Sequence, residues 1–574
     1  MYLRRMRGRG SCEAGPYWAL VESRRTERGP RQRVVAYLGD LDSDGRTAVV
    51  HAAEGSVGSH QGELFRESRP EWVEVDVSGV RVERDREFGG PWLGLRLLGL
   101  LGLPEALASF MPSGREAIPW SVMAEVLVLS RLCDPSSELA IAERFYERSA
   151  LEDLLGVPRD RVNEDRLYRA LDHLLGRKAE LESHLRARMG ELFGLTYDLL
   201  LYDVTSMYFE GQCPSNPEAR YGYSRDHRPD CKQVCIGLVV SHCGMPLGYE
   251  VFEGNRSDVT TVEEMVTRIE SRYGRADRIW VMDRGMISEE TLEFLRDGGR
   301  RYIVGTPRGE LRSFELELLH DRWESIREGV EVKLCRSGAG DEVFVLCRSR
   351  ARGEKERSIR GRFELRIEEG LQKLSAGCMK RRESEATVSR RVGGLLSKNS
   401  RAARLFDIQV TNRGDGGAAV TWSEVEERRE WAELSEGCYL LRSNIMDWTP
   451  ADLWTAYVHL TEAEAAFRIQ KSDLRIRPIW HQRADRVRAH IMVCFLAYVL
   501  WKTLGKLCEG AGLGDEPRQV FDEIAQLRLV DVILPTRTGI EIRKRCITRP
   551  TRHQAVLLQR LGLHLPKQVS PQPV

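Results

Sequence analysis

The chain runs to 574 residues with 42% hydrophobic and 30% charged content, enough apolar material for a large core and a length that suggests about three or four domains. Its 87 Lys and Arg stand against 86 Asp and Glu for a formal net charge of +1, which excludes a globally basic nucleic-acid binder and leaves any such surface to local clustering. The basic start M-Y-L-R-R-M-R-G-R-G lacks the apolar run of a signal peptide, and the longest apolar stretch, Ile491 to Trp501, is too short to span a bilayer, so a cytoplasmic protein is expected.

Residues 1–90 hold short apolar patches broken by Gly and charge (Y-W-A-L-V-E-S, Q-R-V-V-A-Y-L-G-D) and predict a β-rich arm. Residues 91–195 are helical in pattern. S-S-E-L-A-I-A-E-R-F-Y-E-R is capped by Ser136 or Ser137, and N-E-D-R-L-Y-R-A-L-D-H-L-L by Asn163. Such a bundle serves equally well as a DNA reader or as a packing module.

Residues 196–310 alternate strand and helix. Y-D-L-L-L-Y-D-V-T is a buried strand by length and flanks. Q-V-C-I-G-L-V-V-S-H and P-L-G-Y-E-V-F-E form a hairpin around Cys243 and Gly244. An amphipathic helix closed by Gly274 follows, then the buried strand R-I-W-V-M-D, a helix capped by Ser288, and the strand R-Y-I-V-G-T. This pattern predicts a mixed α/β sheet. The thirteen cysteines include no C-x-x-C pair. Cys231, Cys235 and Cys243 lie in the β-rich part, where reduced thiols are the ordinary reading.

Residues 311–435 break the rhythm with charge-rich strand-like pieces and a basic run. From Arg348 to Arg404 there are seventeen Lys or Arg against seven Asp or Glu. In a chain of balanced charge, this excess marks a phosphate-binding surface; the competing reading is a solvated helix. Residues 436–510 open with the strand C-Y-L-L-R-S-N. A helix follows, with Thr449 as N-cap and Pro450 at its first position. It is expected to run through Y-V-H-L-T-E-A-E-A-A-F-R-I-Q-K, where Tyr457, Glu464 and Lys471 recur every seven residues. Seven residues turn through about 700°, so all three share one helix face, joined by Arg468. Residues 511–574 hold a candidate hairpin and a closing helix.

Two apolar strands carry an acid that burial alone disfavours: Asp203 after L-L-L-Y and Asp283 after I-W-V-M. A carboxylate there costs several kcal/mol, on the order of 3–5, unless paired or bound to a metal. With Glu464 from the later helix, three carboxylates converging at strand ends form a hard-oxygen site suited to Mg²⁺. Arg225, His227, Arg228 and Lys232 follow the first acid in an apparent loop that either steers DNA or solvates a turn. His481 and His490 read as structural. Trp323, Trp422 and Trp431 read by default as packing residues.

These pieces resemble the DDE transposases of bacterial insertion sequences, in the branch with a Y-R-E-K signature. The resemblance rests on Y-D-V-T-S-M-Y-F-E-G, G-Y-S-R-D-H-R-P-D, G-N-R-S-D-V-T-T, V-M-D-R-G-M-I-S and Y-V-H-L-T-E-A-E-A-A-F-R-I-Q-K followed by I-R-P-I-W-H. It implies a ribonuclease-H-like mixed sheet flanked by helices and interrupted by a β-rich insertion at 311–435. It implies Asp203, Asp283 and Glu464 as catalytic residues and ligands of two Mg²⁺ ions, for which Mn²⁺ substitutes. Tyr457, Arg468, Lys471 and the loop cations Arg225, His227, Arg228 and Lys232 are the implied DNA contacts. The Arg position of the signature is Leu460 here, and Glu462 competes with Glu464 for the third carboxylate. The implied partners are double-stranded DNA, as transposon ends and target, and a second copy of the chain in a dimer or larger assembly. A nuclease of the same fold and a DNA-binding derivative without catalysis are the alternatives.

Overall fold

The computed structural model describes residues 2–6, 17–26, 29–39, 73–320, 322–336, 340–414 and 416–566. The chain divides into two compact units, one of residues 1–80 with 533–542 and a larger one of 81–532 with 543–574. In the first unit Tyr2–Met6 (β1), Tyr17–Thr26 (β2) and Gly29–Gly39 (β3) form an antiparallel sheet in the order β1-β2-β3. These strands lie within the stretch 1–90 expected as a β-rich arm, of which residues 40–72 lie outside the described residues.

The larger unit opens with Arg81–Glu87 (β4). Helices follow, among them Gly89–Leu100, Trp120–Cys133, Glu164–Leu175 and Lys178–Phe193. Asn163 caps its helix as expected, accepting from the Arg166 N–H at 3.0 Å. These helices share one apolar core with the central sheet and with the long helix Ala484–Gly510. They pack as part of the larger unit.

Among the described residues the central sheet has nine strands. Leu199–Tyr208 (β5), Gln233–Ser241 (β6) and Pro246–Glu253 (β7) run antiparallel, and the turn between the last two places Gly244 at φ +77°. Ile279–Met282 (β8) and Arg301–Gly305 (β9) add parallel to β5 on its other side. The order β7-β6-β5-β8-β9, with crossover helices Val262–Tyr273 and Glu289–Asp297, is the ribonuclease-H-like arrangement expected from the sequence. The sheet continues through Glu324–Arg327 (β10), Val330–Arg336 (β11), Val343–Ser349 (β12) and Cys438–Ser443 (β15), giving the full order β10-β11-β12-β15-β9-β8-β5-β6-β7.

The expected β-rich insertion at 311–435 is therefore divided. Its first strands extend the catalytic sheet, and the excursion between β12 and β15 is mostly helical. Arg350–Lys380, Glu385–Lys398 and Glu426–Leu434 are helices, around the hairpin Phe406–Asn412 (β13) and Ala418–Glu424 (β14). The physical reason lies in the residues. The basic run is rich in Arg, Glu and Leu, all good helix formers, and carries i,i+4 pairs such as Arg352–Glu356 and Arg360–Glu364. Cys438–Ser443 (β15) returns to the central sheet.

The helix Ala484–Gly510 is long and apolar enough to cross a membrane, but it is mostly buried within the unit. Its Tyr498 hydroxyl donates to the Gly244 carbonyl at 2.8 Å, fixing the helix against the β6–β7 turn. The C-terminal hairpin Arg528–Pro535 (β16) and Glu541–Ile547 (β17) joins β4 in a three-stranded sheet, and Arg552–Arg560 closes the chain as expected. A buried charge network ties this end together. Arg86, 3% exposed, donates to Asp531, 0% exposed, at 2.8 Å and also to Asp153, while Arg545 approaches Asp531 at 3.3 Å.

Removing one member of such a network leaves desolvated charge behind. Asp531→Ala is expected to lower unfolding free energy by about 3–5 kcal/mol, read as a shifted urea midpoint at an unchanged slope.

Candidate active site

The site follows from strand register. Leu201 and Tyr202 pair with Val281 and Met282 across parallel β5 and β8, and these pair with Ile303 and Val304 of β9. Asp203, Asp283 and Gly305 each follow directly on these last partners, Asp283 as the first residue beyond β8. Side chains alternate along a strand, so Asp203 and Asp283 face the same way as Leu201 and Val281. That face packs against the helix Leu460–Ser472, which contributes Ala463, Ala466 and Phe467 to the shared core. Glu464 stands on that helix, exposed between its buried neighbours.

Burial pushes the Asp203 carboxyl up to about 6, and the like charges of Glu464 and Asp283 push in the same direction. The Val204 N–H, donating to Asp203 Oδ1 at 2.8 Å, and the Arg225 guanidinium oppose the shift without cancelling it. Among the described residues no group of three or more His, Cys, Asp or Glu stands arranged to hold a metal ion. Asp203 nevertheless feels the charges of both Glu464 and Asp283, and a carboxylate destabilised by two others has the chemistry that a hard divalent cation would compensate.

Tyr457, on the helix Pro450–Val458, donates its hydroxyl to Asp283 Oδ1 at 3.2 Å. A Cβ on Gly305 would come within 2.6 Å of that hydroxyl, so the glycine gives the tyrosine its room. At the other end Lys471 donates from Nζ to Thr205 Oγ1 at 2.8 Å and to Asp226 Oδ1 at 3.0 Å. Burial lowers its ammonium pKa, which Asp226 partly restores. Arg477 also reaches Asp226 Oδ1, at 2.9 Å, while Asp226 Oδ2 is buried without a hydrogen-bond partner.

The Thr449–Asp452 capping box starts the preceding helix as expected. One continuous helix from Tyr457 to Lys471 was expected; it is instead two helices, separated at His459 (φ −57°, ψ −15°). Both nevertheless serve the same acids, since Tyr457 reaches Asp283 while Glu464 acts on Asp203. Leu460, at the signature's Arg position, is 7% exposed and packs in the core. Glu462 accepts from Lys502 at 3.2 Å beside the Gly244 turn, occupied by that ion pair. Arg468 is exposed one turn beyond Glu464.

The loop cations differ among themselves. Arg225 pairs with Asp258 and acts on Asp203. Arg228 is tied to Asp230 at 2.9 Å and lies over the Tyr208 ring, and Lys232 donates to the Gln212 carbonyl at 2.8 Å. His227 is exposed at φ +56°. The two histidines read as structural make interior contacts: His481 meets Glu138 at 3.3 Å, and buried His490 lies 3.0 Å from the Ile476 carbonyl. The sequence reading missed Thr205, Asp226, Gly305 and Arg477. Asp226 lies in the basic G-Y-S-R-D-H-R loop, where an acid among cations was the available signal.

From Arg284, next to Asp283, a cleft of about 950 Å³ opens toward the helical excursion. Its lining includes Arg308, Arg352, Arg360, Arg401 and Arg404. Trp431 lines it too, with the Arg312 guanidinium 5.7 Å above its ring. Trp323 instead lies under Arg348, and Trp422 packs against the core of the excursion.

Comparison with known proteins bears on this site. Residues 194–500 match the model of the transposase DDE domain, and residues 3–60 that of the IS1634 family transposase N-terminal domain. A solved structure described as a cryo-EM structure of a piggyBac transposase synaptic complex with hairpin DNA is similar at TM-score 0.36 and 9% identity, over 79% of this chain and 82% of that one. No curated protein matches.

Two outcomes follow from the geometry. The folded Asp203 carboxyl titrates near 6 against an ordinary 3.8, so the native state holds a proton that the unfolded chain releases earlier. Its stabilising contribution is full below pH 3.8 and is lost as pH rises through about 6. In chelator-treated protein, the melting-temperature advantage of Asp203→Asn over wild type should therefore grow over that range. Gly305→Ala should cost about 1–3 kcal/mol by overpacking against Tyr457. In a Tyr457→Phe background that cost should largely vanish, a coupling that a double-mutant denaturation cycle measures.

Proposed function

This chain belongs to the DDE-domain transposases, and from that premise we propose a metal-dependent enzyme that cuts and rejoins DNA at the ends of a bacterial insertion sequence. The observation that carries the catalytic assignment is the pairing of Tyr202 with Met282 immediately before the two aspartates, with the charges of Glu464 and Asp283 felt at Asp203. These three side chains would hold divalent ions, Mg²⁺ by the hardness of their oxygens and two in number by the resemblance. Bound there, such ions supply an activated water or 3′-hydroxyl and stabilise the leaving oxygen.

The remaining side chains position and screen. The Tyr457 hydroxyl occupies one oxygen of Asp283 and orients that carboxylate. Lys471, fixed by Thr205 and Asp226, presents a cation beside the acids, where it would contact a phosphate. Arg468 extends the same helix face and takes the backbone contact that buried Leu460 cannot make, which fits a variant of the Y-R-E-K branch. Arg225 would steer a strand toward Asp203, with His227, Arg228 and Lys232 forming the outer edge of that loop. The arginine-lined cleft beyond Arg284 suits a DNA backbone in a chain of otherwise balanced charge. Of the insertion tryptophans, Trp431 alone lines that cleft, which makes it the choice for stacking on a base there.

In this reading the enzyme hydrolyses a phosphodiester to expose a 3′-hydroxyl, which then attacks target DNA. It works in the cytoplasm as a dimer or larger assembly bridging two ends. Asp203→Asn, Asp283→Asn and Glu464→Gln should each reduce cleavage of a terminal-repeat duplex at least 1000-fold, on the order expected when a metal ligand set is broken. Repeat binding should persist, and Glu462→Gln should still cut. Cleavage that continues in excess EDTA, or in any of the three acid variants, would sink the assignment.

A further inference from the structure

A second basic cleft, of about 740 Å³, shares no lining residue with the first and includes Arg477, which meets the same Asp226 as Lys471. It is bounded by the helix Trp120–Cys133, the segment after it, and the chain between Arg475 and His481. Arg131, Arg144, Arg148, Arg475 and Arg477 line it, together with the indole of Trp480. Two features set it apart from a solvated surface.

The first is the aromatic ring. Trp480 is 66% exposed, although exposing an indole forgoes burial of one of the largest apolar side chains. Its backbone is nevertheless firmly held. Ile479, its neighbour, bridges to Phe209 just past the end of β5; its N–H donates to the Tyr208 carbonyl at 3.0 Å, and its carbonyl accepts from the Glu210 N–H at 3.0 Å. On the other side Gln482 donates to the Trp480 carbonyl at 3.0 Å while accepting from the Cys213 N–H at 3.0 Å. The ring is thus an exposed platform on a clamped backbone, built onto the strand that carries Asp203.

The second is the charge. Arg148 is paired with Asp134, Arg131 is spent on the carbonyls of Leu474, Arg475 and Ser136, and Glu138 is taken by His481. Arg144 and Arg475 are exposed, and no hydrogen bond or ion pair engages either guanidinium among the described residues. Arg475 sits at φ +45°, a conformation a non-glycine residue adopts at a cost. Arg477 spans the wall between cleft and catalytic centre: its Nη1 meets Asp226, the acid that also holds Lys471. A cationic groove beside an exposed aromatic ring is how proteins hold unpaired nucleotides, phosphates on the cations and a base on the ring.

We propose that this cleft receives an unpaired nucleotide of the DNA strand adjoining the cut, its base stacked on Trp480 and its phosphates on Arg144 and Arg475. The inference rests on the transposase reading above, and it supplies that reading with a place for single-stranded DNA distinct from the basic cleft beside Arg284.

The test uses the full chain and two duplexes ending in the terminal repeat of its element, one blunt and one with a short thymidine overhang. Wild type should bind the overhang duplex about five- to 150-fold more tightly than the blunt one, the range for stacking one base. Trp480→Ala should bring that ratio close to one, while Trp480→Phe, which keeps a ring, should retain most of it. Arg475→Gly, which suits the positive φ and removes the cation, should lower the ratio and flatten its salt dependence. A wild-type ratio near one, or a ratio undiminished in Trp480→Ala, overturns the inference. If wild type binds the repeat no better than a scrambled duplex, end recognition itself fails, and the inference fails with it.

Discussion

Everything at this site depends on one register. Because Tyr202 and Met282 are partners in parallel β5 and β8, the two acids that follow them are brought close enough for Asp283 to raise the Asp203 carboxyl. A slip of one residue would turn one of them to the opposite face of the sheet. The same register brings Gly305 to the end of β9, where only a hydrogen leaves space for the Tyr457 hydroxyl. Crowding of like charge is thus imposed by backbone pairing. The fold holds it in place because β5 and β8 are buried on both faces, by the long core on one side and by Tyr202, Trp280 and Val304 on the other.

The helix Ala484–Gly510 explains how the third carboxylate is supplied. It packs against the β6–β7 hairpin, through Tyr249 and Phe495 among others, and against the helical region Trp120–Cys133. The Glu464 helix is held by Ala463, Ala466 and Phe467 in the same core. With these buried, Glu464 and Arg468 fall on the open side and Glu462 falls toward Lys502. Packing therefore sends two acids two residues apart to different surroundings, through the faces of a helix turning at 100° per residue.

Much of this was legible in the chain. Acids at the ends of apolar runs, Asp203 and Asp283, stand out because burial selects against them. The Thr449 and Ser288 caps declare themselves through short polar side chains ahead of apolar periodicity. What escaped depends on distant neighbours. The break at His459 contains neither Pro nor Gly, so no local breaker announced it. The helical character of Arg350–Lys380 was obscured because a strongly charged stretch carries little apolar period, with Ile367, Leu371, Leu374 and Cys378 marking its buried side. Strands β11 and β12 read as strand-like pieces, β10 did not, and nothing local said that all three extend the central sheet.

Asp226 carries the same lesson in electrostatic form. In sequence it is one acid in a cationic loop, and its natural reading is a solvated counter-charge. In the fold it is buried and holds two cations from different segments, Lys471 and Arg477, with one oxygen while the other goes unpartnered. A buried carboxylate between two cations is a positioning device: it keeps both ammonium and guanidinium beside the acids without leaving net negative charge to compete for a divalent cation. A protein of net charge +1 can thus face a polyanion with concentrated positive charge. Its acids are placed where they aim cations, and its unpaired arginines are left where a phosphate would come.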